Sequence, residues 1–144
     1  MSTEENKAIV RRLWEEFYQG RDAGVLDELF ADDYVFRFAA TGWRAREGRE
    51  GYKGGGKVWW GAFPDLSFNL EKMFAEGDLV VAFFTLTGTQ QGDWTRGPNG
   101  VTIKATGRPL NLPDIVVYRI HDGKIVEEWE SLNEGSLWQQ LGAI

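Results

Sequence analysis

Three acidic residues in the carboxyl-terminal part of this sequence could contribute to acid–base chemistry: Asp114, Glu128 and Glu130. The chain contains one histidine and no cysteine, so the side chains that most often transfer protons or attack as nucleophiles are nearly absent. Carboxyl groups can replace them, because burial and a neighbouring negative charge both raise a carboxyl pKa toward neutrality. Such a role depends on whether the fold brings these residues together away from water.

A β-hairpin predicted at residues 120–124 decides which of these residues meet. A three-residue loop that ends in a left-handed Gly123 fits this segment and places Asp114 opposite Glu130. By the same register Val116 lies opposite Glu128, and directly opposed residues point to the same face of a sheet. A two-residue turn would instead shift the register by one residue and separate Asp114 from Glu130.

A solvated acidic edge is the alternative to a buried acidic pair. In that arrangement Glu127, Glu128 and Glu130 face water, and the apolar residues between them face the core. The histidine, His121, falls in the turn, where we expect it to be exposed to solvent. Arg119 has the opposite strand parity to Glu130, so we expect it on the outer face of the sheet.

The segments that must position these residues predict helices first and strands afterwards. Residues 2–20 form an amphipathic helix with capping-box spacing between Ser2 and Glu5, and a shorter helix follows before the strand "YVFRF". A third helix covers residues 49–63. Long antiparallel strands begin at residue 66, and "EGSLWQQLG" is a carboxyl-terminal helix. This order predicts one α+β domain over residues 1–144, with helices packed on the concave face of a curved antiparallel sheet.

The glycine-rich stretch "GYKGGGKV", residues 51–58, approaches a phosphate-binding loop without completing it. That pattern needs a hydroxyl after the lysine to bind Mg²⁺, and Val58 stands there. Each glycine inside a helix costs about 1 kcal/mol relative to alanine. Three of these glycines are consecutive: Gly54, Gly55 and Gly56. They indicate either a loose surface turn or a helix that thins one wall of a cavity to admit a bulky, flat ligand.

Composition excludes several classes of function. The net charge of −6 argues against a nucleic-acid surface, which needs clustered cations. The single histidine argues against a zinc or non-haem iron site. No apolar run is long enough to span a membrane and no signal-like start is present, so we expect a cytoplasmic protein that does not bind membranes. Seven Trp and nine Phe supply a core and can also line a pocket for a flat organic ligand.

Several segments carry a resemblance to a known family: "FADDYVF", "AFPDLSF", "TGTQQGDW" and, most specifically, "YRIHDGKIVEEWESL" with its later "QLG". Over nearly its whole length the sequence resembles the SnoaL-like polyketide cyclases, which have the cone-shaped nuclear-transport-factor-2-like α+β fold. The resemblance implies ring closure by intramolecular aldol condensation on a polyketide-like carbonyl substrate, without a metal or cofactor. It also implies a homodimer that binds a hydrophobic small molecule.

The resemblance further implies the site residues. The family's catalytic carboxylate, usually Asp, follows the tryptophan of "EEW", and that position is Glu130, one methylene longer. It would remove a proton α to a carbonyl group and later protonate the product oxygen; the predicted hairpin register, rather than the resemblance, offers Asp114 as its partner. Positions at which relatives carry histidine hold Glu128, Gln90 and Val116. The aromatic residues expected to contact the substrate are Trp14, Phe17, Phe36, Trp59, Phe63 and Trp94.

Two functions stay open at this point. The first is the cofactor-independent cyclase, with Glu130 as the general acid and base. The second is a protein that binds a small molecule in the same cavity without chemistry, which the replaced histidines and Gln90 favour. A related steroid-isomerase chemistry would need a carboxylate at the position that Phe38 occupies.

Overall fold

The computed structural model describes residues 2–46 and 48–144, and it follows the predicted order of elements. The helices are α1 (Thr3–Arg12), continued as a π-helix over Leu13–Gln19, then α2 (Val25–Leu29), α3 (Arg49–Ala62) and α4 (Glu134–Gln140). The strands are β1 (Phe30–Phe38), β2 (Ser67–Glu76), β3 (Leu79–Thr89), β4 (Pro109–His121) and β5 (Lys124–Leu132). Residues 90–108 form a long loop between β3 and β4.

The five strands form one sheet in the order β1-β5-β4-β3-β2. Three of the four pairings are antiparallel, as expected. The pairing of β1 with β5 is parallel, so the sheet is mixed rather than wholly antiparallel. β1 and β2 are the two edge strands of the sheet, and α3 connects them in the chain. β1 pairs with β5 along its inner side.

The first helix packs its apolar side on the sheet. Ser2 caps it by accepting a hydrogen bond from the backbone N–H of Glu5, which is the predicted capping spacing. In the π-helical part, Leu13, Trp14 and Phe17 are buried. The wider π-helical turn changes the angular spacing of side chains, and the Trp14 ring stacks on Tyr18 with a centroid separation of 4.3 Å.

The hairpin between β4 and β5 turns through two residues, so the three-residue loop is wrong. Asp122 and Gly123 both have positive φ angles, of 48° and 73°, and this matches the type I′ turn that Asp-Gly favours. The turn pairs His121 with Lys124. A bulge then follows, in which Val126 is the extra residue between the pairs of Ile125 and Glu127.

The bulge preserves the same-face relationship that a two-residue turn alone would have destroyed. The turn shifts the register by one residue, and the bulge shifts it by one more, so strand parity is unchanged. Val116 lies opposite Glu130, and Asp114 lies opposite Leu132. Asp114 is therefore a diagonal neighbour of Glu130 on one face of the sheet rather than its direct partner.

The outer face of the sheet carries charged pairs and exposed apolar side chains. Arg119 lies there as expected, in an ion pair of 2.7 Å with Asp78, and its guanidinium lies 5.7 Å from the ring centroid of Trp129. Phe74 and Ile115 are 57% and 39% exposed. Among the described residues, no helix has the length and apolar character needed to cross a membrane.

Candidate functional site

A cavity opens between α3, the π-helix, β1, β5 and the loop 90–108. Its empty volume is about 620 Å³, part of which is open to solvent at the mouth. Its walls are formed by Tyr18, Phe36, Phe38, Arg46, Tyr52, Gly55, Gly56, Trp59, Trp94, Arg96, Glu130, Leu132 and Glu134.

Glu130 and Asp114 form a carboxyl pair in one wall of this cavity. Glu130 lines the cavity, and Asp114, 2% exposed, lies behind it and is hydrogen-bonded to it. Burial raises the pKa of Asp114 well above its usual value, and the negative charge of Glu130 raises it further. The second carboxyl oxygen of Asp114, Oδ1, has no hydrogen-bond partner in the part of the chain that the structure describes.

A third carboxylate, Glu128, is 1% exposed and lies outside the cavity lining. The hydroxyl group of Tyr34 donates to Glu128 Oε1 at 3.0 Å. Burial raises the pKa of the Tyr34 hydroxyl, and the negative charge of Glu128 raises it further. The acidic edge is thus divided: Glu128 is buried, whereas Glu127 is partly exposed on the outer face, where it pairs with Arg37 at 2.5 Å.

All four tyrosines of the chain gather in this region. The hydroxyl groups of Tyr18 and Tyr52, which both line the cavity, are hydrogen-bonded to each other. Tyr118 is fully buried and accepts a hydrogen bond of 2.9 Å from Trp14 Nε1. Burial, followed by the charge of Glu128, raises the pKa of the hydroxyls of Tyr18, Tyr52 and Tyr118, so each is a neutral hydrogen-bonding group near neutral pH.

Two arginines and one glutamate complete the cavity wall. Arg46 lies over the ring of Phe38, with Cζ 5.3 Å from the centroid. Burial raises the pKa of Glu134, and the charges of Arg46 and then Arg96 partly offset that rise. The charged side chains of Arg46, Arg96 and Glu134 therefore lie next to the aromatic part of the cavity.

The structure places four of the predicted site residues at the cavity: Phe36, Trp59, Trp94 and Glu130. The other predicted residues lie outside its lining. Asp114 and Glu128 are buried in the sheet, and Trp14, Phe17, Phe63 and Val116 belong to the apolar core. Gln90 is fully buried, and its amide bonds the Ile103 carbonyl and the Thr106 backbone and side chain, so it holds the loop 90–108 together.

Several cavity residues were not predicted from the sequence. Tyr18 follows Trp14 by four residues on the first helix, so the helical spacing could have indicated it. Tyr52 precedes the predicted glycine wall, of which Gly55 and Gly56 line the cavity. Arg46 and Arg96 lie in irregular segments, where no periodic pattern indicates the direction of a side chain.

The described residues contain no group of three or more His, Cys, Asp or Glu side chains that could hold a metal ion. The cavity lining offers carboxyl, hydroxyl and guanidinium groups beside aromatic rings. This arrangement can transfer a proton and bind a flat, oxygenated molecule.

Fold and cavity together define a cone-shaped α+β protein of the nuclear-transport-factor-2-like type. The sequence profile of the SnoaL-like polyketide cyclases matches residues 8–141. The chain belongs to this family. No curated protein shows significant similarity to the sequence.

Solved structures agree with this assignment. A candidate SnoaL-like polyketide cyclase from Jannaschia sp. CCS1 is 24% identical, with a TM-score of 0.84 over 99% of this chain and 94% of that chain. AclR from Streptomyces galilaeus, described as a candidate hydroxylase, is 24% identical, with a TM-score of 0.83 over 99% of both chains. IdmH from Streptomyces antibioticus, a candidate polyketide cyclase, is 29% identical, with a TM-score of 0.74 over 95% of this chain and 98% of that chain.

Proposed function

We propose that the protein is a cofactor-independent cyclase that closes a ring by intramolecular aldol-type chemistry, with Glu130 as general acid and base. The observation that carries this proposal is the position of Glu130, which lines an aromatic cavity and is hydrogen-bonded to the buried Asp114. Family membership supports cyclase activity. The carboxyl pair supports this particular chemistry.

The pair divides its roles by environment. Because burial and the charge of Glu130 raise the pKa of Asp114, we assign the shared proton to Asp114, which donates it in a hydrogen bond to Glu130. In this proposal Glu130 is the base, and it faces the cavity. Asp114 acts as a positioning residue, since it reaches the substrate space only through Glu130.

The proposed reaction needs no outside reactant. Glu130 removes a proton from a carbon next to a carbonyl group and leaves an enolate. The enolate carbon attacks a second carbonyl carbon of the same molecule, so that one carbon–carbon bond forms and the carbonyl π bond breaks. The resulting alkoxide takes the proton back from Glu130. The product has the same atoms as the substrate, and the enzyme returns to its starting state.

The tyrosine pair supplies the hydrogen bond that an enolate oxygen needs. Tyr18 and Tyr52 have one hydroxyl proton each, and the bond between them uses one of the two. The other proton can be donated to a substrate oxygen in the cavity. A donor held in a partly dehydrated site stabilises the developing negative charge.

Aromatic side chains favour a flat, hydrophobic substrate. The rings of Trp59 and Trp94 pack with a centroid separation of 4.6 Å, and Phe36 and Phe38 stack at 6.2 Å. These surfaces bind extended ring systems by burial and stacking. They set no requirement for one particular polyketide.

The test compares wild type with Glu130→Gln on a panel of aromatic β-keto esters, and it measures binding and turnover separately. We expect Glu130→Gln to bind as wild type does and to lose turnover. The matched control is Glu127→Gln, which changes a glutamate of the same strand on the outer face. Turnover retained in Glu130→Gln would contradict the proposal. Binding without turnover in wild type would favour the non-catalytic binding protein.

We also propose a second copy of the chain as the partner of the outer sheet face. Phe74 is 57% exposed and makes an edge contact with the ring of Phe83, at 6.2 Å. Ile115 is 39% exposed on the strand that β3 pairs with. Neighbouring exposed apolar side chains are characteristic of surfaces that associate.

A further inference from the structure

Asn99 and Gly100 lie at the exposed tip of the loop between β3 and β4. Below the tip, Trp94 and Ile103 close the loop with two backbone hydrogen bonds, both at 2.9 Å. In the part of the chain that the structure describes, a Cβ atom at Gly100 would have no atom from outside the turn within 4 Å. The tip can therefore move while the base of the loop stays in place.

The tip has a left-handed backbone, with φ angles of 56° at Asn99 and 75° at Gly100. Asparagine adopts this region more readily than most residues, but less readily than glycine. The Gly100 N–H donates to the Gly97 carbonyl oxygen at 3.0 Å. The next N–H of the turn, at Val101, donates to the Pro98 carbonyl oxygen, also at 3.0 Å. So few bonds make opening of this turn a local event.

The side-chain amide of Asn99 is free to rotate. No residue in the ranges 2–46 and 48–144 forms a hydrogen bond with it. Of the five asparagines in the sequence, Asn99 alone precedes a glycine. Asparagine is thermolabile, and a following glycine favours loss of the amide group because it has no Cβ to hinder the attacking backbone nitrogen.

We propose that Asn99 is a site of spontaneous deamidation in the folded protein. The Gly100 nitrogen attacks Asn99 Cγ, so that an N–Cγ bond forms and the Cγ–Nδ2 bond breaks. Ammonia leaves with the former amide proton of Gly100. Water then opens the five-membered imide at either carbonyl carbon, which leaves aspartate or isoaspartate at position 99. The net change exchanges –NH2 for –OH, and nothing is oxidised or reduced.

The reaction needs only the tip to open. The hydrogen bond from Gly100 to Gly97 must break first, because the attacking amide gives up its proton. The base of the loop and the core can keep their contacts during this step, so the rate should not depend on global unfolding. The product carries an added negative charge in the loop whose Trp94 and Arg96 line the cavity.

The test incubates the folded protein in neutral and in mildly alkaline buffer and follows the tryptic peptide of residues 97–104 by mass spectrometry. This peptide contains Asn99 and no other side-chain amide. We expect it to gain the mass of an –NH2 to –OH exchange, in two chromatographically separate products, and faster at the higher pH. Asn99→Gln is the matched variant, and its peptide should keep its mass, because attack on the longer side chain forms a less favourable ring.

An exposed asparagine of β4, Asn111, is the internal control, since leucine follows it. Its tryptic peptide should keep its mass over the same period. Equal mass gain at Asn111 would overturn the proposal. So would an unchanged Asn99 under conditions that fully deamidate a free peptide with the sequence of residues 97–104.

A destabilised variant separates local opening from global unfolding. A Cβ atom at Gly56 would lie 2.7 Å from Phe17 Cζ, so Gly56→Ala weakens the fold far from the tip. We expect Asn99 to deamidate at the wild-type rate in this variant, and a faster rate would overturn deamidation from the folded state. Wild type in urea below its unfolding transition gives the same comparison if Gly56→Ala does not fold. No substrate enters these tests, so their outcome is independent of the cyclase proposal.

Discussion

Asp114 lies diagonally behind Glu130 on the same face of the sheet and touches the cavity only through the hydrogen bond between the two carboxyl groups. Their environments differ, since Asp114 is 2% exposed whereas Glu130 lines a cavity that opens to solvent. This difference underlies the proposed mechanism, in which the buried member holds the proton and the cavity member acts as the base.

Asp114→Asn should change how stability depends on pH. The pKa of Asp114 is raised in the folded state, so the folded protein binds this proton more tightly than the unfolded chain does. Its contribution to stability is complete below the unfolded pKa, near 3.9 for a free aspartate, and is lost as the pH rises through the folded pKa.

We therefore expect wild type to lose stability from about pH 4 upward relative to Asp114→Asn. Asparagine keeps a donor for Glu130 and cannot ionise. Urea denaturation at a series of pH values measures the difference between the two unfolding free energies. Parallel curves for the two proteins would contradict the raised pKa. Asp33→Asn, on the exposed part of β1, is the control.

Tyr52→Phe should slow turnover with little effect on substrate binding. It removes one of the two hydroxyl groups of the Tyr18–Tyr52 pair and so the proton available to an enolate oxygen. Loss of one such donor lowers kcat by about 10²-fold. Steady-state kinetics separate kcat from KM. A normal kcat would exclude the Tyr52 hydroxyl from the reaction.

Tyr34→Phe is the matched comparison for Tyr52→Phe. The Tyr34 hydroxyl donates to the buried Glu128 and does not line the cavity. Its loss leaves a buried carboxylate without one of its donors, which costs about 1–3 kcal/mol of stability. We expect a lower urea midpoint and an unchanged kcat in the folded protein. A lowered kcat at full folding would indicate that Glu128 takes part in the chemistry.

The three consecutive glycines of α3 should respond differently to alanine. In the described part of the chain, Gly54 has no atom within 4 Å of a Cβ position, so Gly54→Ala should stabilise the helix by about 0.5–1 kcal/mol. A Cβ at Gly56 would lie 2.7 Å from Phe17 Cζ, so Gly56→Ala should destabilise by about 1–3 kcal/mol. Gly55→Ala should keep the fold, because its Cβ would make only ordinary contacts with Arg96, at 3.7 and 3.8 Å.

Thermal unfolding of the three single variants checks this order. Equal melting temperatures for Gly54→Ala and Gly56→Ala would contradict the close packing of Phe17 on the helix. The prediction from sequence alone treated the three glycines as one unit. The structure separates them, because one faces solvent, one faces Arg96 and one faces a buried ring.

Phe74→Asp should shift the proposed dimer to the monomer. The substitution places a charge on the outer sheet face beside Phe83, where burial against a second copy would be unfavourable. Light scattering after size exclusion measures the mass. Asp32→Asn, on the far edge strand, is the control. A monomeric wild type at tens of micromolar would contradict the proposal.

The sequence predicted the fold well because helix stripes and strand alternation repeat over many residues. The hairpin shows where such reasoning stops. The Asp122-Gly123 turn is local and could be assigned, whereas the bulge at Val126 has no sequence signal of its own. The two-residue turn and the bulge each shift the predicted register by one residue, so Asp114 and Glu130 still share a face. The arginines of the cavity were missed because their positions depend on loops that tertiary contacts fix.

The parallel pairing of β1 with β5 also has a consequence for synthesis. The ribosome completes residues 30–38 long before residues 124–132 emerge, so β1 has no strand neighbour during most of translation. Contacts between such distant segments form late and slowly. Phe38 and its strand neighbour Glu130 are brought together by this pairing. The cavity wall that they share therefore cannot be completed until residues 124–132 have left the ribosome.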